Sequence, residues 1–243
     1  MRKMSKFYLI TGASSDIGIS IARCLAKEGY YLYLHYNSNE EAMRNLLTEL
    51  EQYNGEYIPI QADLSVKAGV EKLATETFAL SGIIHCTGMT KYDLLLDNSY
   101  EDISRQLFIN LESPIYLTKL LLPKLMNEEY GRIIFISSIW GQTGASCETV
   151  YSAAKGGQIA FAKALSKEVA FNQITVNAIA PGTVETKMIN HLSKEEEEEL
   201  KNEIPLNRFA QPSEIAHSVK FLLSKEASYI TGQVIAINGG WYM

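Results

Sequence analysis

The stretch Phe7-Tyr8-Leu9-Ile10-Thr11-Gly12-Ala13-Ser14-Ser15-Asp16-Ile17-Gly18 decides how the rest of the chain is read. Its first five residues have strand-forming character, and the apolar run Leu9-Ile10 suits a strand buried on both faces. Glycine at positions 12 and 18 then allows a tight turn into a segment with helical periodicity, Ile17–Lys27. A strand that turns through glycines into a helix lets backbone approach an anion closely. It also aims free N–H groups and a positive dipole end at that anion, as a pyrophosphate requires. Alone, such a turn is a weak signal, whose plain alternative is a turn with Asp16 as helix N-cap; its position and context favour the dinucleotide.

Outward from this stretch the same alternation continues almost without linkers. Further strands are expected at Tyr30–His35, Glu56–Gln61, Gly82–Cys86, Arg132–Ser137, Thr175–Ala180 and Gln233–Ile237. Helices are expected at Asn39–Gln52, Val66–Phe78, Glu112–Met126, Val150–Phe171 and Ser213–Leu223. Strand–helix alternation with right-handed crossovers predicts an α/β fold. The expectation is a Rossmann-like, doubly wound parallel sheet of about seven strands with helices on both faces. No repeat or linker marks a second domain, so residues 1–243 are read as one unit. The long segment 185–210 is a candidate lid over a ligand. Its charge run, Glu195–Glu199, reads as a solvated helix face.

Composition excludes several classes. With 22 basic and 28 acidic residues the net charge is −6, which gives no general attraction for nucleic acid or an anionic membrane. Three cysteines, Cys24, Cys86 and Cys147, stand at no CxxC spacing. They argue against a disulfide framework or a zinc site, no metal is expected, and a reducing cytoplasm fits best. The apolar stretch Phe7–Ile10 is too short for a signal segment or a membrane span.

Ligands of open α/β sheets bind beyond the carboxyl ends of the strands. The unusual residues here all follow strands: Gly12 to Gly18, Tyr36-Asn37-Ser38, Asp63, Thr87-Gly88, Ser138 and Pro181-Gly182. Any one group is ordinary turn chemistry, but six on one edge are harder to dismiss. Two readings of Asp63 stand open: it accepts from an adenine amino group, or it caps the helix starting near Val66. The strongest chemical signal is Tyr151-Ser152-Ala153-Ala154-Lys155, whose i,i+4 spacing puts phenol and ammonium on one helix face. At close range and an effective dielectric near 20 such a pair attracts by roughly 4 kcal/mol. That equals about three pKa units, enough to bring a phenol towards neutrality as a general acid. Such pairs also occur without function.

Together these residues resemble the short-chain dehydrogenase/reductase family over essentially the whole chain. Ser138, Tyr151 and Lys155 match its catalytic pattern, Asn110 matches the fourth tetrad member, and Pro181-Gly182 with Thr186 match its nicotinamide-side loop. Thr90-Lys91-Tyr92-Asp93-Leu94-Leu95, Val176 to Gly182, Val184 to Met188 and Tyr229 to Met243 look most like the 3-oxoacyl-[acyl-carrier-protein] reductases. The resemblance implies hydride transfer, a small-molecule or acyl-thioester substrate, and a homotetramer. It implies cofactor contacts from Gly12, Ser14, Ser15, Ile17, Gly18, Tyr36, Asn37, Ser38, Asp63, Leu64, Thr87, Gly88, Tyr151, Lys155, Pro181, Gly182, Val184 and Thr186. It implies that Tyr151 donates the proton, Ser138 holds the carbonyl oxygen, Lys155 lowers the Tyr151 pKa, and Asn110 positions a water that reloads the proton.

Four departures sharpen this. Asp16 replaces the family's middle glycine and is expected to point away from pyrophosphate. Ser15 replaces a basic residue common in NADP-specific members. His85-Cys86-Thr87-Gly88 replaces Asn-Asn-Ala-Gly. Glu128-Glu129 and Phe171-Asn172 stand where carrier-docking basic residues are expected, which argues against an acyl carrier protein partner. After the second strand, His35-Tyr36-Asn37-Ser38 carries no acid before Glu40, which favours NADP(H). It carries no Arg or Lys either, which leaves NAD(H) open. A sugar or small-alcohol dehydrogenase is the alternative within the family, and a nucleotide-binding regulator without turnover the alternative outside it. The apolar end Trp241-Tyr242-Met243 reads as docked, on its own domain or on a neighbouring subunit.

Overall fold

The structure, a computed structural model, describes residues 7–189 and 193–243. Seven strands form one sheet: β1 (Phe7–Thr11), β2 (Tyr31–Tyr36), β3 (Tyr57–Gln61), β4 (Gly82–His85), β5 (Gly131–Ile136), β6 (Ile174–Pro181) and β7 (Val234–Ile237). Their order is β3-β2-β1-β4-β5-β6-β7, and every pairing is parallel. The Rossmann-like doubly wound sheet is therefore present.

Alternation along the strands builds two cores. Phe7, Leu9, Ile83, Ile133, Phe135 and Val176 face one side. There they meet Val70 and Leu73 of α3 (Lys67–Glu76), Leu117 and Leu121 of α5 (Ser113–Leu125), and Ile159, Ala162 and Leu165 of α7 (Thr149–Val169). Tyr8, Ile10, Leu32, Leu34, Ile84, Ile134 and Ile179 face the other side. There they meet α1 (Asp16–Lys27), α2 (Glu40–Leu50) and α9 (Pro212–Leu223) through Ile21, Leu25, Met43, Leu46, Ile215 and Val219. Central strands buried on both faces explain the unbroken apolar runs.

Three helices escape the hydrophobic pattern. The residues between β4 and α5 form α4 (Tyr100–Leu107), closed by a Ser99–Asp102 capping box, and then a π-turn over Phe108–Glu112. The α4 helix buries only Gln106, so it carries almost no apolar period. The single turn α6 (Trp140–Thr143) follows β5. Helix α8 (Lys194–Glu203) buries no side chain, and its glutamates form a solvated face. Val184 bridges Ala210 in parallel, so the backbone on either side of the 185–210 segment is joined at its base. At the C-terminus Trp241 packs edge-on against Trp140, with ring centroids 5.1 Å apart. The apolar tail is thus docked on its own chain as far as Trp241, while Met243 is exposed. Among the described residues no helix is long and apolar enough to cross a membrane.

Candidate active site

The sheet order reverses between β1 and β4, so the turns after these two strands flank the crevice where open α/β sheets hold ligands. The two turns touch. Cys86 N and Thr87 N donate to Thr11 Oγ1 at 3.0 and 3.1 Å. A Cβ on Gly12, which sits at φ +67°, would lie 3.1 Å from the Thr87 backbone. At Gly18 a Cβ would lie 2.2 Å from Gly12 O, so only glycine lets the first turn of α1 seat on the loop. Ser15, not Asp16, caps α1: its Oγ accepts from Gly18 N at 3.1 Å and donates to Gly12 O at 2.8 Å. The Asp16 carboxylate instead accepts from Lys187 N at 2.7 Å, tying the glycine turn to the start of the 185–210 segment.

His35 braces this turn from below. Gly12 N donates to its Nδ1 at 3.0 Å, so Nε2 carries the proton and donates to Ala62 O, also at 3.0 Å. Burial pushes its pKa down to about 4, which keeps the ring neutral. Next to it, Gln61 Nε2 donates to Asn37 O at 2.9 Å and fixes the loop of Tyr36, Asn37 and Ser38. Asp63 caps no helix. Its Oδ1 accepts from Ser65 N at 2.8 Å, and hydrogen bonds from Ser65 hold its carboxyl below the usual range. The N-cap of α3 is Val66, without a side-chain bond, and Leu64 turns its side chain into the core. After β6, Gly182 N donates to Ile237 O at 2.9 Å, and Pro181 O accepts from Ile139 N at 2.8 Å.

The chemistry-bearing residues meet at the ends of β4 and β5. Ser138 is nearly buried, and its Oγ accepts from Trp140 N at 3.1 Å. Tyr151 and Lys155 share one face of α7, with the Lys155 Nζ 5.5 Å from the Tyr151 ring centroid. The ammonium donates to Ile136 O at 2.8 Å. Burial pushes the Tyr151 phenol above its ordinary value, the Glu148 charge adds to that, and a hydrogen bond with Ser138 opposes it. Burial also pushes the Lys155 pKa down to about 8, with Cys86 opposing.

Asn110 lies in the π-turn, fully enclosed. Its Nδ2 donates to Met89 O at 2.7 Å and Gln106 O at 2.9 Å, and its Oδ1 accepts from Met89 N at 3.1 Å. It therefore builds the loop after β4. A Cβ on Gly88 would meet Asn110 Oδ1 at 3.2 Å and Lys155 Nζ at 3.4 Å, so these three residues converge. Four side chains of this region escape sequence reasoning. His85 stacks on Phe135 at 4.6 Å and bonds Thr118 Oγ1 through Nε2 at 2.8 Å. Glu148 accepts from Thr90 Oγ1 at 2.8 Å and joins the loops on either side of Tyr151. Gln158 donates through Nε2 to Asn110 O at 2.5 Å. Trp140 donates its backbone N–H to Ser138 Oγ, and its ring receives Trp241. Gln158 alone had a visible signal, a polar residue three positions after Lys155 on the same helix face.

The crevice suits a dinucleotide. Gly12 and Gly18 admit no side chain, so the turn is bare backbone packed close on itself, α1 presents its N-terminus there, and the buried Thr87 Oγ1 has no hydrogen-bond partner among the described residues.

The family model described as enoyl-(acyl carrier protein) reductase matches residues 12–242. The uncharacterized oxidoreductase YmfI of Bacillus subtilis is 46% identical over 241 residues, covering 98% of this chain and 100% of the relative. The 3-oxoacyl-[acyl-carrier-protein] reductase FabG of Staphylococcus aureus is 36% identical over 245 residues, covering 99% of this chain and 100% of the relative. Among solved structures, the angucycline C-6 ketoreductase LanV with bound NADP superposes with a TM-score of 0.90 at 27% identity, covering 97% of this chain and 95% of that one.

Proposed function

The chain belongs to the short-chain dehydrogenase/reductase family of oxidoreductases, and from that premise we propose that it reduces a ketone to a secondary alcohol with NADP(H), its substrate a 3-oxoacyl thioester. The observation that carries this reading is that the Ser138 hydroxyl, just past β5, lies close enough to the Tyr151 phenol in the first turn of α7 to lower its pKa. Two neighbouring O–H groups can converge on one oxygen, as a carbonyl requires and a carbon–carbon double bond does not.

When bound, NADPH supplies the hydride that reaches the carbonyl carbon. Gly12, Ser14, Ser15, Ile17 and Gly18 would hold its pyrophosphate side, with Tyr36, Asn37, Ser38, Asp63, Leu64, Thr87 and Gly88 around the adenosine half. Pro181, Gly182, Val184 and Thr186 would hold the nicotinamide side. Tyr151 gives its phenolic proton to the carbonyl oxygen. Its raised pKa favours the protonated form that a donor needs at neutral pH. Ser138 donates to the same oxygen as negative charge develops. Lys155 places a cation on the helix face where the phenolate is left. Asn110 keeps the Met89 loop, and with it Gly88, in register.

The loop after β2 supports NADP(H) over NAD(H). Glu40, the first acid after it, lies in α2 and is paired with Arg44 at 3.2 Å. The bound NADP and the ketoreductase activity named for LanV point the same way. The name of the FabG relative supports a 3-oxoacyl thioester. The carrier-docking positions do not support a carrier protein: Glu128 accepts from Ser81 Oγ at 3.2 Å, and Phe171 is 96% exposed. The 185–210 segment acts as the substrate lid of a single domain, hinged at the Val184–Ala210 bridge. A cytoplasmic homotetramer completes the reading, supported by the free cysteines and by the family.

The test is a panel of 3-oxoacyl thioesters on carrier protein, coenzyme A and a short thiol mimic, with an enoyl thioester beside them. NADPH and NADH consumption are compared. Turnover of the oxo compounds with NADPH is expected. Turnover of the enoyl compound alone overturns ketone reduction, and a clear NADH preference overturns the cofactor assignment.

A further inference from the structure

Gln158 is buried at 1% exposure on the face of α7 that carries Tyr151 and Lys155. Its amide reaches two groups of opposite character. Nε2 donates to the backbone carbonyl of Asn110 in the π-turn, and Oε1 accepts from Lys155 Nζ at 3.5 Å. The orientation is forced, because a carbonyl only accepts and an ammonium only donates. Lys155 Nζ is held from the other side by Ile136 O. Asn110, the residue expected to position a water, thus has its backbone carbonyl accepting from the Gln158 amide.

We propose that Gln158 is a positioning residue that bridges the Asn110 carbonyl to the Lys155 ammonium, fixing where that ammonium sits and how firmly it holds its proton. The proposal rests on the ketoreductase reading for its kinetic consequence but not for its geometry. The titratable groups facing Lys155 are Tyr151 on its own helix, with Glu148 acting on Tyr151, and His85 and Cys86 at the end of β4. The other packed elements add no charge there. Neither α6 nor β6 carries a titratable side chain, Arg132 of β5 bonds Gly131 O and Ser224 O, and Glu101, Asp102, Arg105 and Glu112 are exposed or partly so.

The test uses Gln158→Leu and Gln158→Glu. Leucine removes the acceptor and makes the ammonium harder to hold, while glutamate adds a negative charge beside it. Nitrogen-15 NMR of lysine-labelled protein without cofactor, assigned with Lys155→Met, is expected to show the Lys155 titration moving down in the first variant and up in the second. The alkaline limb of the kcat pH profile should move the same way, and kcat in Gln158→Leu should fall about tenfold or more. An unmoved Lys155 titration in both variants overturns the proposal, even if both melt earlier than the parent. Gln158→Glu keeps size and polarity, so the question is answered even if Gln158→Leu fails to fold. An NMR shift as expected in a protein that reduces no ketone would leave the bridge standing and remove the ketoreductase reading instead.

Discussion

At the scale of single residues, the pair Tyr151 and Lys155 shows what spacing can and cannot say. An i,i+4 separation puts two side chains on one helix face, and they are there. Spacing carries no information about which oxygen the ammonium selects, and it selects Ile136 O at 2.8 Å. The Tyr151 pKa is set mainly by enclosure, which depends on what packs around it. If Tyr151 is the proton donor, Tyr151→Phe lowers kcat by about 100-fold or more, the usual worth of a general acid. NADPH binding, followed by quenching of intrinsic fluorescence, stays near that of the parent. Turnover close to the parent's would remove Tyr151 from the mechanism. The partners of His35 and Gln158 were illegible for a different reason. Each acts through a backbone atom distant in sequence, Gly12 N in one case and Asn110 O in the other.

At the scale of elements, the sheet was legible and the short polar helices were not. Strands with Leu9-Ile10 or Ile133-Ile134-Phe135-Ile136 at their centres are marked by burial on both faces, and their ends fall within a residue or so of expectation. Helices α4 and α8 are held by capping boxes at Ser99 and Ser193 while burying almost nothing, so periodicity has nothing to detect. The glycine turn was legible as a turn, but which residue caps its helix was not, because Ser15 and Asp16 are both good N-caps by type. The turn gives a sharp prediction. Gly18→Ala places a methyl 2.2 Å from the Gly12 carbonyl, against backbone that cannot swing aside. Forcing the helix off its seat costs about 1–3 kcal/mol. For a chain of this size that lowers Tm by about 2–4 °C per kcal/mol. Calorimetry should show that loss together with weakened NADPH binding. An unchanged Tm and affinity would mean that α1 does not press on the turn as described.

At the scale of the whole molecule, two buried neutral histidines fix the response to acid. Burial lowers His35 from 6.5 to about 4 and His85 from 6.5 to about 3. Between those values the unfolded chain binds protons that the folded chain refuses, so stability rises with pH across the window. The contribution is complete above 6.5 and is lost as pH falls towards 4 for His35 and towards 3 for His85. Each histidine removes about 1.4 kcal/mol per pH unit. Urea unfolding from about pH 7 down to about pH 5 should show this slope, and His35→Asn should flatten it by about half. A stability independent of pH in that range would mean that the rings are accessible to protons.

The bond between Asp16 and Lys187 N has a consequence in time. Its partners are 171 positions apart, so it closes one of the longest loops in the chain. Closing such a loop costs entropy that only the intervening crossovers can offset. As the chain leaves the ribosome, the glycine turn emerges early but waits for its last tether until six of the seven strands have been synthesised. A chain stalled before that point can have most of its sheet and still lack the clasp beside the nucleotide crevice.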